Sequence, residues 1–184
     1  MSDDRFVTRR RFIQVSSSVA AAVSSGLLGG CAWQLQPQSS LGAGERRLVE
    51  EVADQIIPPD QYAGGKDAGI ADFIDIQLRG PYKRFLSVYR DGLARLEQTS
   101  RRVRQRSFLD LAFDDQTALL RLLEADQPPP GIWKNGESAE FFRLICDHCM
   151  QGYYGSPRHG GNRGSVSWKM LRLDYPQVAG RVTP

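Results

Sequence analysis

Apolar residues recur at every third or fourth position along most of this chain, and almost nowhere do they alternate with polar ones. That regularity restricts the fold to packed helices, because a strand buries every second residue and a helix buries a stripe. From Glu45 onward, Leu48, Val49, Val52, Ala53, Ile56 and Ile57 fill one half of a helical wheel; Arg47, Glu50, Glu51, Asp54 and Gln55 fill the other. Pro58-Pro59 ends this helix. A second is predicted over 69–78 (GIADFIDIQL), burying Ile70, Phe73, Ile74 and Leu78. Gly80-Pro81 opens a third, with Phe85, Leu86, Tyr89, Leu93 and Leu96 inward and the run 101–106 (RRVRQR) as its solvated end. Phe108, Leu109 and Leu111 suggest a short helical turn. Asp114 reads as the N-cap of a fourth helix, with Phe113 as its hydrophobic staple, and Ser138 as the cap of a fifth that runs to Tyr154. Beyond Gly155 the chain reads as irregular. The expected fold is all-α, a single small bundle of about five helices with a long irregular C-terminal loop.

The 184 residues suffice for one domain with a real core, and 41% hydrophobic with 24% charged residues is an ordinary globular composition. The net charge is +3, but Arg5, Arg9, Arg10 and Arg11 against Asp3 and Asp4 supply +2 of it (four minus two) before Cys31. The remainder is close to neutral, without a basic stripe interleaved with aromatics, so no nucleic-acid partner is expected.

The first thirty residues read as an address. A basic cluster precedes a moderately apolar run diluted by Gln14 and several serines, and small residues close it. Thr8 to Ile13 (TRRRFI) looks like the twin-arginine export motif, with Arg9 and Arg10 as its pair and Phe12 following. Leu28-Gly29-Gly30-Cys31 looks like a bacterial lipobox, in which Cys31 becomes the acylated first residue. Acyl chains contribute ~0.8 kcal/mol per buried CH₂, so an acylated Cys31 would hold the domain at a membrane surface. The predicted organisation is a signal peptide over 1–30, a lipidated N-terminus and tether over 31–44, and a helical domain over 45–184. The expected location is the periplasmic side of a bacterial membrane, reached by a route that carries folded cargo.

One stretch invites chemistry: Ile145 begins ICDHCMQGYYGSPRHGGNRGSVSWKM. Covalent haem attachment needs C-x-x-C-H, and here Met150 follows Cys149. A redox C-x-x-C usually opens a helix in an α/β fold, whereas Cys146 and Cys149 lie two turns inside one. A structural zinc site needs four ligands, and Cys146, His148, Cys149 and His159 are all the mature chain offers; no metal is expected. On the wheel His148 sits mid-arc among apolar residues, which favours a buried, hydrogen-bonded imidazole. The two cysteines are either buried thiols or a short i,i+3 disulfide. Gly155, Gly160 and Gly161 match neither phosphate-loop pattern and read as turn formers. No nucleophile elbow or paired-carboxylate motif is visible, so no catalytic residue is assigned.

These residues do match a known pattern. His148, Gly152, Tyr153, Tyr154, Gly155, Pro157, Gly160, Gly161, Asn162 and Trp168 fill the places of a C-terminal signature resembling that of the gluconate 2-dehydrogenase subunit 3 family. Upstream, 53–60 (ADQIIPPD) and 68–82 (AGIADFIDIQLRGPY) resemble two further segments of that family in order. Cys149 and Gln151 depart from it, at places the family usually gives to a hydroxyl and a carboxylate. The resemblance implies a non-catalytic accessory subunit without a cofactor of its own. Its partner would be an FAD-dependent catalytic subunit of glucose-methanol-choline oxidoreductase type, often with a multihaem cytochrome c, so FAD and haem c would reside in partners. The subunit would assist maturation and export of the flavoprotein. Tyr153, Tyr154, Arg158, His159, Asn162, Arg163 and Trp168 are the expected partner contacts, being aromatic and Arg anchors of the kind enriched in interface hot spots. Against this stands a loop folded back on its own helices. The rival function is a free-standing exported lipoprotein with a small redox or metal site at Cys146, His148 and Cys149.

Overall fold

The computed structural model describes residues 39–173; Arg9, Arg10, Phe12 and Cys31 lie outside the described residues. Six α-helices are present among those described: α1 (Ala43–Ile56), α2 (Ile70–Arg79), α3 (Leu86–Arg104), α4 (Phe113–Glu124), α5 (Glu137–Tyr154) and α6 (Val166–Met170). No strand occurs among them, and the all-α expectation holds. The apolar stripes pack as the periodicity requires. Val49, Val52 and Ala53 of α1, Ile70, Ile74 and Leu78 of α2, Tyr89, Leu93 and Leu96 of α3, and Leu119 and Leu123 of α4 are all buried. They close around α5, which touches each of the other five helices. This is what a helix with apolar residues over half its circumference is built for. Among the described residues no helix is long and apolar enough to cross a membrane.

The helix starts differ from the sequence reading. α3 is preceded by a 3₁₀ turn, Lys83–Phe85, instead of opening at Pro81. Asp114 is not an N-cap: α4 begins at Phe113 behind Ala112, and Asp114 and Asp115 lie in its first turn, where they complement the helix dipole. Ser138 does not cap α5 in the usual way either, since the helix starts at Glu137 behind Gly136. Its cap comes from the preceding helix. Asp126 sits just past α4 with φ +54°, in a turn closed by Asp126 N–H to Leu123 O and Gln127 N–H to Leu122 O. Its carboxylate accepts the Gly136 N–H at 2.7 Å and the Ser138 hydroxyl at 2.6 Å. Those bonds, Ser138 first, hold the Asp126 carboxyl below its usual range.

Two further carboxylates fasten the chain. Buried Asp75 accepts from Ser39 Oγ (2.8 Å), Ser40 N (2.7 Å) and Leu41 N (3.0 Å), and Arg79 approaches its other oxygen at 3.4 Å. This pins the segment entering α1 and seats Leu41 in the core. Glu97 accepts from Ser107 Oγ and Phe108 N, which folds the chain back after α3 and buries Phe108.

The C-terminal part corrects the expectation of an irregular loop. It carries two 3₁₀ turns, Pro157–His159 and Arg163–Ser165, before α6.

Candidate functional site

The residues singled out in the sequence lie on α5 and the segment after it. His148 is buried in the middle of the helix bundle. Tyr82 stacks on its ring at a centroid distance of 4.3 Å and 11°, Tyr89 lies parallel beyond at 5.7 Å and 5°, and Phe85 meets it edge-on. The Tyr89 hydroxyl lies 2.8 Å from His148 Nδ1. Burial pushes the Tyr89 phenol well above its ordinary range, so it keeps its proton; it donates to Nδ1 when that nitrogen is bare and accepts when Nδ1 carries the ring proton. Burial lowers the His148 pKa; neighbouring Asp147 opposes that shift and Arg84 adds to it.

That direction makes a prediction. The unfolded chain takes up a proton on His148 near its ordinary pKa of about 6.5, before the folded chain does. This contribution to stability is therefore complete above that pH and is lost as pH falls toward the depressed folded value. Urea midpoints measured between pH 7.5 and pH 5 are expected to decline with a slope of at most ~1.4 kcal/mol per pH unit from this group. His148→Gln, which keeps an acceptor for Tyr89, should flatten the decline above the carboxylate range. An unchanged slope in that variant would remove His148 as the cause.

Cys146 and Cys149 are free thiols; the i,i+3 bridge held open from the sequence is not formed. Cys149 points into the core and Cys146 lies at its margin. Burial raises Cys146 to about 11 and raises Cys149 further, so both stay protonated at neutral pH. Protonated, buried thiols are poor metal ligands and poor nucleophiles. Among the described residues no group of three or more His, Cys, Asp or Glu side chains could hold a metal ion.

The segment after α5 is clipped onto the bundle. Gly152 lets α2 approach α5: a Cβ there would stand 2.8 Å from Phe73 Cδ1 and 3.0 Å from Ile70 Cδ1. Gly161 rests against Gly152 from outside, and a Cβ at Gly161 would fall on the Gly152 carbonyl, 2.9 Å from its carbon. Asn162, with φ +45°, spends its whole amide internally, donating to Gly155 O at 2.8 Å and accepting from Ser167 N at 3.0 Å. Arg163 N donates to Ala68 O, and its guanidinium pairs with Asp72, which also holds Arg46.

The seven expected contact residues therefore divide. Tyr153 is buried with its hydroxyl on Ala63 O at 2.9 Å, Asn162 is buried, and Arg163 is committed to Asp72. Tyr154, Arg158 and His159 face outward. Trp168 is half-buried, its indole N–H on the Tyr154 carbonyl at 3.1 Å.

Across all this geometry lies one family. The family model described as gluconate 2-dehydrogenase subunit 3 matches residues 43–174. The chain belongs to the gluconate 2-dehydrogenase subunit 3 family. No curated protein and no solved structure matches it. The family match begins with α1 and takes in every helix of the bundle. It joins the chain to a subunit of a gluconate 2-dehydrogenase complex. Gln151, one of the two departures from the subunit 3 pattern, accepts the Tyr82 hydroxyl and so fixes the ring that stacks on His148. Cys149, the other, is wholly enclosed.

Sequence reasoning missed the partners that come from afar. Tyr82 carries no periodic signal, and Asp72, with Arg46 and Arg163 drawn to it, looks like any surface acid. It missed also a groove of about 610 Å³ between α3 and α5, floored by Phe85, Val88, Trp133, Phe141 and Leu144. Arg95 bridges to Glu137 at its edge. A run of aromatics at helical spacing does not distinguish a groove from a core.

Proposed function

We propose that this chain is the non-catalytic small subunit of a membrane-bound, flavin-dependent dehydrogenase complex, and that it assists maturation, twin-arginine export and membrane association of the FAD-containing catalytic subunit. The observation that carries the reading is the subunit 3 match across 43–174 behind an N-terminus that resembles an export motif and a lipobox. FAD and haem c are assigned to the partners, a glucose-methanol-choline type flavoprotein and a multihaem cytochrome c. Arg158 and His159 face outward and form the proposed docking edge for the flavoprotein. Acylated Cys31 would keep the assembly on the periplasmic side of its membrane.

The test is export. With Arg9→Lys/Arg10→Lys, the flavoprotein is expected to stay in the cytoplasm, and flavin absorbance should disappear from detergent extracts purified through this chain. Undiminished flavoprotein in the periplasmic fraction would overturn the escort role. A colourless single protein from the parent's membranes would overturn the stable complex.

A further inference from the structure

We propose that the C-terminal face around α6 is a second membrane contact, which lays Trp168, Leu171 and Leu173 against an anionic lipid surface. The proposal rests on the reading that the chain works at a membrane, and adds to it where and how the folded domain touches lipid.

Four of the seven large hydrophobic side chains that the described residues leave exposed are here: Met150, Tyr154, Leu171 and Leu173. Met150 and Tyr154 are one turn apart on the same side of α5. Tyr154 is tied to Trp168 through the indole hydrogen bond, and Leu171 follows Trp168 by three residues. The end of α6 places Leu173 as well. Leu173 N–H bonds to Trp168 O at 2.8 Å and Arg172 N–H to Lys169 O at 3.1 Å, with Arg172 at φ +54°. This closing turn brings Leu173 back to the level of Trp168. A left-handed arginine is strained relative to glycine, so the turn is held by what surrounds it.

Charge decides the occupant. Between Asp147 and Asp174 the sequence has no carboxylate, while it has Arg158, Arg163, Lys169 and Arg172. Arg163 is spent on Asp72; Lys169 and Arg172 are exposed and make no ion pair among the described residues. An apolar tip of leucines, a Tyr and Trp at headgroup depth, and flanking Lys and Arg are the arrangement of an interfacial lipid contact. The long basic side chains can reach phosphates while their stems stay on the apolar surface.

The experiment uses the full chain with Cys31→Ser and Arg9, Arg10 and Arg11 each changed to Gln, so that neither acyl chains nor the N-terminal arginines supply affinity. Cosedimentation is measured with vesicles of phosphatidylcholine alone and with phosphatidylglycerol added. Binding is expected only with the anionic lipid, weakening with salt. Leu171→Ser/Leu173→Ser and, separately, Lys169→Glu/Arg172→Glu should each weaken it about tenfold or more at unchanged helicity. Binding that ignores both pairs, or is equal on neutral vesicles, would overturn the proposal. So would loss of the flavoprotein from detergent extracts of the leucine variant, because the face would then belong to a protein. Vesicle binding by the substituted chain, with a parent that brings down no flavoprotein, would sustain this contact and sink the subunit reading alone.

Discussion

Gly161→Ala is expected to detach the C-terminal segment from α5 at a cost of about 3 kcal/mol or more, because the new methyl group meets backbone and not a side chain that can swing away. The Gly152 carbonyl belongs to the central helix, and moving it disturbs the contacts that Ile70 and Phe73 make on the other side of Gly152. Urea unfolding followed by circular dichroism measures the loss. Gly164→Ala is the natural comparison. Gly164 has the left-handed backbone that Gly161 lacks, at φ +66°, and a Cβ there meets nothing within 4 Å. It should cost only the ~1–2 kcal/mol of placing a side chain in that conformation. Equal losses at the two positions would show that the Gly152–Gly161 contact costs no more to break than an unfavourable backbone conformation.

Asp75→Ala should destabilise the domain by roughly 2–4 kcal/mol, since one buried carboxylate oxygen serves Ser39, Ser40 and Leu41 together. The two backbone N–H groups have no substitute acceptor in the core, and Leu41 loses its seat when they let go. Asp75→Asn keeps an oxygen in place without the charge and should lie between parent and alanine variant. Hydrogen exchange offers the sharper readout: the Ser40 and Leu41 amides should lose protection before those of α2. If the alanine variant unfolds at the parent's midpoint, the anchor is worth little and the α1 packing alone seats the segment.

Most helices were legible because their evidence is local. Each stripe is written within one run of sequence, and Pro58-Pro59 stops α1 where rigid φ and a missing donor require it. The caps were less legible because their partners are not local. A serine ahead of an apolar run resembles an N-cap whether or not another helix supplies the oxygen, and α5 takes its cap from Asp126, at the end of α4. Asp114 and Phe113 fit a cap-and-staple pattern equally well two residues out of register. Of the candidate site, His148 was readable from its place on the wheel, while the rings around it come from Tyr82, Phe85 and Tyr89, more than fifty residues earlier. The segment after Gly155 hid its short helices because turns of three residues leave no period to detect. Its division into inward and outward residues depends on Ala63, Ala68 and Asp72, which nothing in the segment itself points to.

The seam between Gly152 and Gly161 also sets an order of completion. A chain emerging from the ribosome presents α1 to α5 before it can present residues 160–168, so the flank of the central helix stays uncovered until those residues have followed. Truncated products end with that flank bare, a surface of glycine and exposed backbone that proteases and chaperones can find. Residues 160–168 thus act as a seal on the bundle: only a chain translated past Trp168 can close it.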